Sequence, residues 1–321
     1  MKSAKALRVT AGISGSVLLV LAVVLGIRYR KDLQEYRHKL EQMNSQVIET
    51  SCGPIEYARA GSGYPVLVIH GNGGGFDQGM GLAQNYIGEG FDVISPSRFG
   101  YLRTPLPEGA TVEMQADAYA CLLDTLHIRQ AAVFTSSAGV TSSVQFAMRH
   151  PDRVSALVLH SPNAPGKVEM QLPPKPVFNA MFHSDFAFWS LTFYARPMMR
   201  TFVGVPKGFV LNDAFETEAD QALLSVMPAS MRADGMLFDT FVSNPEINGY
   251  VFDRIQAPTL VLSAVDDPMA LHENASDLAK RIPGAKLFAV SDGGHLMLGH
   301  TREVKQQISR FLTQVLGISG K

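Results

Sequence analysis

A serine in a tight turn is the residue of this chain best placed to act as a nucleophile. The segment from Ala131 to Val140 reads AAVFTSSAGV, in which a short apolar run is followed by two serines, Ala-Gly and a helical pattern. This order predicts a strand, a sharp turn and a helix whose free N-terminus favours developing negative charge. The positions two before and two after the serine of such a turn must be small. Gly139 meets that requirement for Ser137, whereas Thr135 does not.

Two other interpretations of this segment compete with a nucleophile at Ser137. If Ser136 reacted instead, Phe134 and Ala138 would occupy the crowded positions, and they suit the turn less well. Ser-Ser-Ala-Gly can also be a polar turn that only caps a helix, since short motifs are weak evidence. The rest of the chain therefore decides between these interpretations.

A glycine-rich loop follows an earlier apolar run. Residues 64–69 read YPVLVI, which is typical of a strand buried on both faces, and HGNGGG follows at 70–75. Glycines at this place let backbone N–H groups come close to a ligand. A phosphate loop is the alternative, but the G-x-x-x-x-G-K-[ST] pattern is absent and no lysine is near. His70 is expected to support the loop by hydrogen bonding.

A carboxylate and an imidazole follow two later runs that are typical of strands. Residues 258–263 read PTLVLS and lead to Asp266 and Asp267, and residues 286–290 lead through Ser-Asp-Gly-Gly to His295. A histidine on a loop after two glycines is poorly suited to a core position. These groups can therefore do acid–base chemistry with a serine.

Alternating elements are predicted to position these groups. Further strands are expected at 91–96 and 155–160, a helix over 111–127, and a hairpin between 47 and 60. Strands and helices alternate from about residue 64 to residue 160. The pattern predicts an α/β fold with a mostly parallel sheet and helices on both faces.

Together these motifs resemble the α/β-hydrolase superfamily over about residues 47 to 315. They are HGNGGG, SRFGYLRTP after the next strand, the elbow TSSAG, the helix that leads to HPDRV, and the late carboxylate and histidine. The resemblance is to members with a lid, a group containing esterases, monoacylglycerol lipases, lactonases and carbon–carbon hydrolases. It implies a mostly parallel central sheet with flanking helices and a helical cap insertion.

The resemblance also implies a catalytic triad, because nucleophile, acid and base follow in the chain order Ser, Asp or Glu, His. Ser137 matches the nucleophile, Asp267 the acid and His295 the base, with Asp266 as the fallback acid. Some relatives carry the acid after the preceding strand, but residues 161–163 read Ser-Pro-Asn and hold no carboxylate.

Two backbone N–H groups are implied as the oxyanion hole, those of Asn72 and Ala138. Thr135 in place of the first elbow glycine is the main departure from the superfamily pattern.

A cap is predicted over residues 163–250, and the hydrolase core over 47–162 and 251–317. The insertion is far longer than a strand crossover needs and is rich in Phe, Met and Trp. Most of these side chains must form the cap's own core, but some must line a pocket over the serine. The predicted substrate-binding residues are Gly73, Phe182, Trp189 and Met199. Met and aromatic residues adapt to irregular apolar ligands, so the predicted partner is a small-molecule apolar acyl or aromatic ester.

These observations are compatible with three functions. The favoured one is carboxylic-ester hydrolysis through an acyl-enzyme. The alternative is a C–C bond hydrolase of meta-cleavage type, which must hold a carboxylate or enolate with a basic residue. The candidates are Arg98, Arg196 and Arg200, although surface salt bridges are a competing role for each. A non-enzymatic alternative is a membrane-tethered ligand-binding or scaffold protein with the hydrolase fold. The filled triad positions favour an enzyme.

The composition excludes several other classes. The 321 residues carry a net charge of −1 and show no Lys/Arg-rich face, so no nucleic-acid partner is predicted. Neither HExxH nor CxxC occurs, and no metal or cofactor is predicted. Cys52 and Cys121 are expected to be ordinary buried thiols. The oligomeric state is left open.

The N-terminus is predicted to anchor the protein in a membrane. A short basic segment at 1–8 precedes the uncharged stretch 9–27, which as a helix would be about 28 Å long and span a bilayer core. A cleaved signal peptide is the competing interpretation, but the stretch is long and ends in RYRK without a cleavage site. Residues 28–46 are predicted to form a charged stalk. The predicted location is therefore the cell membrane, with a single pass through the lipid bilayer, on a side that the balanced basic flanks do not reveal.

Overall fold

The N-terminal part of the chain is one long helix. The computed structural model describes residues 2–167 and 172–318, and of residues 2–18 it describes the backbone only. Helix α1 spans Lys2–Gln42, so residues 28–42 of the predicted stalk are helical. The chain divides into two units after Gln42, and the second unit holds all the other elements.

The structure does not support the predicted membrane anchor. Within the described residues, no helix combines the length and the apolar character needed to cross a bilayer. From Arg28 onward α1 is rich in charged residues, which the apolar core of a bilayer accommodates poorly. The prediction of a single-pass location in the cell membrane, with the bilayer as a partner, is therefore wrong.

Eight strands form one sheet in the part of the chain that the structure describes. Their bounds are β1 Gln46–Thr50, β2 Gly53–Gly61, β3 Tyr64–Ile69, β4 Phe91–Pro96, β5 Ala131–Ser136, β6 Val154–His160, β7 Thr259–Ala264 and β8 Lys286–Val290. The order across the sheet is β1-β2-β4-β3-β5-β6-β7-β8. The β1–β2 and β2–β4 pairs are antiparallel and the remaining pairs are parallel, which confirms the predicted mostly parallel sheet.

Helices cover both faces of the sheet. The helices of the core are α2 Phe76–Tyr86, α3 Val112–Thr125, α4 Gly139–Arg149, α11 His272–Arg281 and α12 Thr301–Leu316. Because successive strand side chains point to opposite faces, Val66 and Val68 pack in the apolar cluster of α2 and α12. Leu67 and Ile69 pack in the cluster of α3, α4 and α11. Burial of alternate apolar residues on both faces explains why β3 has no polar face.

The insertion after β6 is helical. We call residues 163–250 the cap; its described helices are α5 Lys175–Phe182, α6 Asp185–Tyr194, α7 Arg196–Phe202, α8 Asp213–Leu224, α9 Ala233–Phe238 and α10 Asn244–Glu246, with a π-helical turn at Asp239–Ser243. Short 3₁₀ turns occur at Pro151–Arg153, Ala229–Met231, Ile247–Gly249, Phe252–Arg254 and Gly294–Leu296.

A disulfide joins Cys52 and Cys121, so the prediction of two separate thiols is wrong. Cys52 lies in the β1–β2 turn and Cys121 in α3, 69 residues later. Helix α3 packs on the edge of the sheet and brings the two Cα atoms to 6.0 Å. Sequence separation alone gives no sign of this proximity. A bond that closes so long a loop restricts the unfolded chain and thereby stabilises the fold.

Candidate active site

Three side chains from separate loops form a hydrogen-bonded chain at the carboxyl edge of the sheet. His295 Nε2 lies 2.8 Å from Ser137 Oγ, and His295 Nδ1 lies 2.8 Å from Asp267 Oδ2. The carboxylate is buried, and its Oδ1 accepts hydrogen bonds from the N–H groups of Met269 and Ala270 at 2.8 and 2.9 Å. A carboxylate held in this way keeps the proton of the imidazole on Nδ1, so Nε2 is free to accept the proton of a serine hydroxyl.

The neighbouring carboxylate has a different partner. Asp266 Oδ1 accepts a hydrogen bond from the N–H of Gly294 at 2.9 Å. Asp266 therefore supports the loop that carries His295, while Asp267 contacts the imidazole itself.

The turn at Ser137 has the strained geometry expected of an elbow. Ser137 has a φ of 53°, a conformation that only a tightly constrained backbone imposes on a serine. A Cβ at Gly139 would lie 2.4 Å from the carbonyl oxygen of His70, so this position admits only glycine. The same Cβ would lie 2.9 Å from Thr135 Oγ1, which shows that the buried Thr135 side chain uses the space that Gly139 leaves. The departure from the small-residue pattern at Thr135 is thus accommodated.

The glycine loop passes directly beside the serine. A Cβ built on Gly71 would lie 3.0 Å from Ser137 Cβ. Within the described residues, no protein acceptor receives the N–H of Asn72 or that of Ala138. Ala138 also lies at the N-terminus of α4, where the helix dipole favours negative charge. This corner can therefore hold an oxyanion next to the hydroxyl.

Comparison with known proteins identifies the family. Residues 64–299 match the family described as alpha/beta hydrolase fold. The chain belongs to the α/β-hydrolase family.

Relatives of this hydrolase cover most of its length. The uncharacterized hydrolase YcgS of Bacillus subtilis is 29% identical over 259 residues, which are 76% of this chain and 89% of the relative. A 2-hydroxy-6-oxononadienedioate/2-hydroxy-6-oxononatrienedioate hydrolase of Paraburkholderia phymatum is 25% identical over 274 residues, covering 81% of this chain and 91% of the relative. A solved structure, an alpha/beta hydrolase fold protein from Nakamurella multipartita, aligns with a TM-score of 0.66 and 27% identity over 84% of this chain and 99% of that one.

The cap of this hydrolase contacts the loop that carries the histidine. The N–H of His295 donates to the carbonyl of Gly204 in the cap at 3.0 Å, and Ser161 Oγ donates to the carbonyl of His295 at 2.8 Å. A Cβ at Gly204 would lie 2.2 Å from His295 Cβ, so only glycine lets the cap backbone approach this closely. Gly204 was not found by sequence reasoning, because nothing in the sequence shows that a cap residue meets the histidine.

The predicted substrate-binding residues fall into two groups. Gly73 lies on the loop beside the serine, and a Cβ there would be 3.1 Å from Val226 and 3.6 Å from Met236, two cap residues outside the predicted substrate-binding set. Phe182, Trp189 and Met199 are buried in the cap.

The two aromatic members of that group pack against other cap aromatics. Phe182 contacts Phe178, Phe188 and Phe202, and Trp189 stacks on Phe186 and Phe193. A role of Phe182, Trp189 and Met199 in binding substrate stays a prediction.

The three arginines considered as anion-binding groups all pair with carboxylates. Arg196 and Arg200 pair with Asp220 within the cap, as the salt-bridge interpretation predicts, and these side chains are partly buried. Arg98 is different, because it is fully buried and pairs with Asp239 of the cap. The expectation of a surface salt bridge is therefore wrong for Arg98, since the cap covers the segment that follows β4.

Two histidines beside the site are kept neutral by burial. His70 Nδ1 contacts the carbonyl of Gly71 at 2.7 Å and its Nε2 accepts the N–H of Arg98, so His70 supports the glycine loop as predicted. Burial, followed by the nearby Arg98 charge, lowers the pKa of His70 well below its ordinary value. Burial, followed by His295, lowers the pKa of His160 to about 3. His160 ends β6, and its Nδ1 lies 3.3 Å from Ser136 Oγ.

The burial of these two histidines predicts that the folded protein loses stability in mild acid. In the unfolded chain they bind protons below about pH 6.5, whereas the folded protein excludes those protons. The free energy of unfolding should therefore fall as the pH drops below 6.5, by about 1.4 kcal/mol per pH unit for each buried histidine. Urea unfolding between pH 7 and pH 5 measures this slope. His160→Gln removes one of the two groups and should make the slope smaller, and an unchanged slope in that variant would contradict the assignment.

Proposed function

We propose that this hydrolase cleaves carboxylic esters with Ser137 as its nucleophile. The observation that carries the proposal is the continuous hydrogen-bonded chain from Ser137 through His295 to Asp267. Each member has one task in such a chain: the hydroxyl attacks, the imidazole moves the proton, and the carboxylate stabilises the imidazolium.

The reaction would proceed in two steps through an acyl-enzyme. As Ser137 Oγ bonds to the ester carbonyl carbon, its proton passes to His295 Nε2, and the carbonyl oxygen takes up negative charge. The N–H groups of Asn72 and Ala138 would donate to that oxygen. The tetrahedral intermediate then expels the alcohol, which takes the proton from His295. Water then attacks the acyl-enzyme and gives a proton to His295 Nε2. The carboxylic acid leaves, and His295 returns the proton to Ser137 Oγ.

The pairing of the arginines supports an ester over a substrate that carries its own anion. A free carboxylate or enolate in the pocket needs an unpaired cation to offset its desolvation. Arg98 is occupied by Asp239, and Arg196 and Arg200 are occupied by Asp220. A neutral ester needs no such cation.

The surroundings of the serine also support an apolar substrate. Val226 and Met236 of the cap lie over Gly73, next to the proposed oxyanion hole. Met side chains adapt to irregular apolar ligands. An acyl chain or an aromatic ring can pack against this wall.

A chain-length series of p-nitrophenyl esters tests the proposal. The specificity constant kcat/KM should rise several-fold for each two-carbon step from acetate toward medium-chain esters, because each buried CH₂ contributes at most about 0.8 kcal/mol. The rise should stop when the pocket is full. A flat or falling profile would contradict an apolar acyl site.

A C–C bond hydrolase is the second candidate, and the name of the Paraburkholderia phymatum relative supports it. Such an enzyme would turn over a dienolic ring-cleavage product and should lose that activity in Arg196→Ala or Arg200→Ala. Turnover of that kind, together with a flat ester profile, would replace the esterase proposal.

A further inference from the structure

One peptide group beside the serine is held by three donors. The carbonyl oxygen of Gly71 lies 3.1 Å from Arg98 Nη2, 2.7 Å from His70 Nδ1 and 3.3 Å from the N–H of Gly74. The same peptide group carries the N–H of Asn72. Because a trans peptide is planar, its C=O and N–H point in opposite directions. Fixing the carbonyl therefore fixes the direction of the Asn72 N–H.

The cap holds the arginine in this arrangement. Arg98 Nη1 and Nη2 donate to the two oxygens of Asp239, each at 2.5 Å, and both side chains are buried. Burial works against the charge of Arg98, but the Asp239 carboxylate outweighs it and raises the pKa of the guanidinium. Arg98 is thus a permanent cation with its fork aimed by Asp239, and it donates a charge-assisted hydrogen bond to the Gly71 carbonyl.

The same cap turn also holds the side chain of Asn72. Asn72 Nδ2 donates to Thr240 Oγ1 at 3.0 Å, and Tyr101 Oη lies 3.2 Å from Asn72 Oδ1. The single hydroxyl proton of Tyr101 is donated to Asp239. Adjacent residues of the cap, Asp239 and Thr240, therefore restrain both the peptide plane and the side chain at Asn72.

We infer that Asp239 and Arg98 are positioning residues that aim the Asn72 N–H at the oxyanion. The inference rests on the proposed serine hydrolysis and extends it, because it makes part of the cap necessary for the transition state. Neither residue needs to touch the substrate. Loss of the pair should lower kcat, while substrate binding in the ground state changes little.

The chain offers a control in a second ion pair between core and cap, in which the arginine is buried and the carboxylate is partly buried. Arg232 of the cap pairs with Asp77 of α2 at 2.7 Å, and its Nη1 also donates to the carbonyl of Gly74. Arg232 is as buried as Arg98. Loss of this pair also perturbs the contact between cap and core, but it leaves the Arg98 and His70 donors to the Gly71 carbonyl in place.

The test compares Asp239→Asn with Asp77→Asn in the full chain. Removal of one oxyanion donor costs about 10²- to 10³-fold in kcat, so misdirecting it in Asp239→Asn should cost about 10- to 100-fold. KM should stay within about threefold, and Asp77→Asn should keep kcat within about threefold. The Tm of each variant checks that it is folded. Arg98→Lys keeps the charge but cannot reach both Asp239 and Gly71 with a fork, so it should resemble Asp239→Asn. This variant preserves the test if Asp239→Asn does not fold.

A trifluoromethyl ketone reports on the oxyanion hole directly, since it forms a tetrahedral adduct with serine. Its affinity should fall in Asp239→Asn by about the same factor as kcat/KM and stay near the wild-type value in Asp77→Asn. Equal effects of the two variants on kcat and on this inhibitor would overturn the inference and leave the proposed function intact. Wild-type protein that hydrolyses esters no faster than Ser137→Ala would instead overturn the proposed function, and the inference with it.

Discussion

Replacing Ser137 by alanine is expected to abolish ester hydrolysis and labelling by a fluorophosphonate probe. The variant removes the atom that attacks the carbonyl, and no other hydroxyl is in contact with His295 Nε2 in the described part of the chain. Loss of the nucleophile in a serine triad lowers kcat by on the order of 10⁶-fold. Probe labelling followed by p-nitrophenyl ester turnover measures the two effects separately. The fold should survive, because the change only removes one oxygen.

Ser136→Ala is the matched control for this experiment. Ser136 Oγ points toward His160 and lies in the buried last position of β5. The Ser136→Ala variant should therefore keep most of its esterase activity and its probe labelling. Equal loss in both variants, or loss in Ser136→Ala alone, would contradict the assignment of Ser137 as the nucleophile.

Replacing Asp267 by asparagine is expected to give the second-largest effect, a fall in kcat of about 10⁴-fold. The amide cannot accept the Nδ1 proton of His295 as a carboxylate does, so the imidazole loses its correct tautomer and the stabilisation of its charged form. Asparagine keeps the shape of the side chain, and its oxygen can still accept from Met269 and Ala270. Steady-state kinetics on the best ester, with Tm as the check on folding, measures this loss.

Asp266→Asn separates the role of the acid from that of its neighbour. Asp266 contacts the N–H of Gly294 rather than the imidazole, and an asparagine oxygen can keep that bond. We expect a far smaller fall in kcat than in Asp267→Asn. The reverse ranking would transfer the role of the acid to Asp266.

Local sequence was enough to predict the sheet and the loops that carry the site. The runs at 64–69, 91–96 and 286–290 are apolar or β-branched enough to specify strands, and the strands of the structure have these same bounds. The carboxyl ends of parallel strands meet at one edge of a sheet. Ser137, Asp267 and His295 follow such ends, and their side chains lie within hydrogen-bonding distance; their catalytic roles remain predictions.

Contacts between distant segments could not be predicted in the same way. Arg98 was expected at the surface because the sequence does not show that Asp239, 141 residues later, covers it. Cys52 and Cys121 were expected to be separate thiols for the same reason. The apolar stretch 9–27 was interpreted by its composition alone, and the described helices do not support an anchor.

The amino-acid sequence by itself determined the order of the strands along the chain, the sharp turn at Ser137 and the glycine loop, because these depend on residues close together in the chain. Only the tertiary structure decided which cap residues meet that site. Gly204 against His295, and Asp239 on Arg98 behind the Asn72 peptide, are contacts between segments far apart in sequence. Such contacts depend on how the cap packs on the core, and packing is a property of the assembled fold that no local pattern of residues contains.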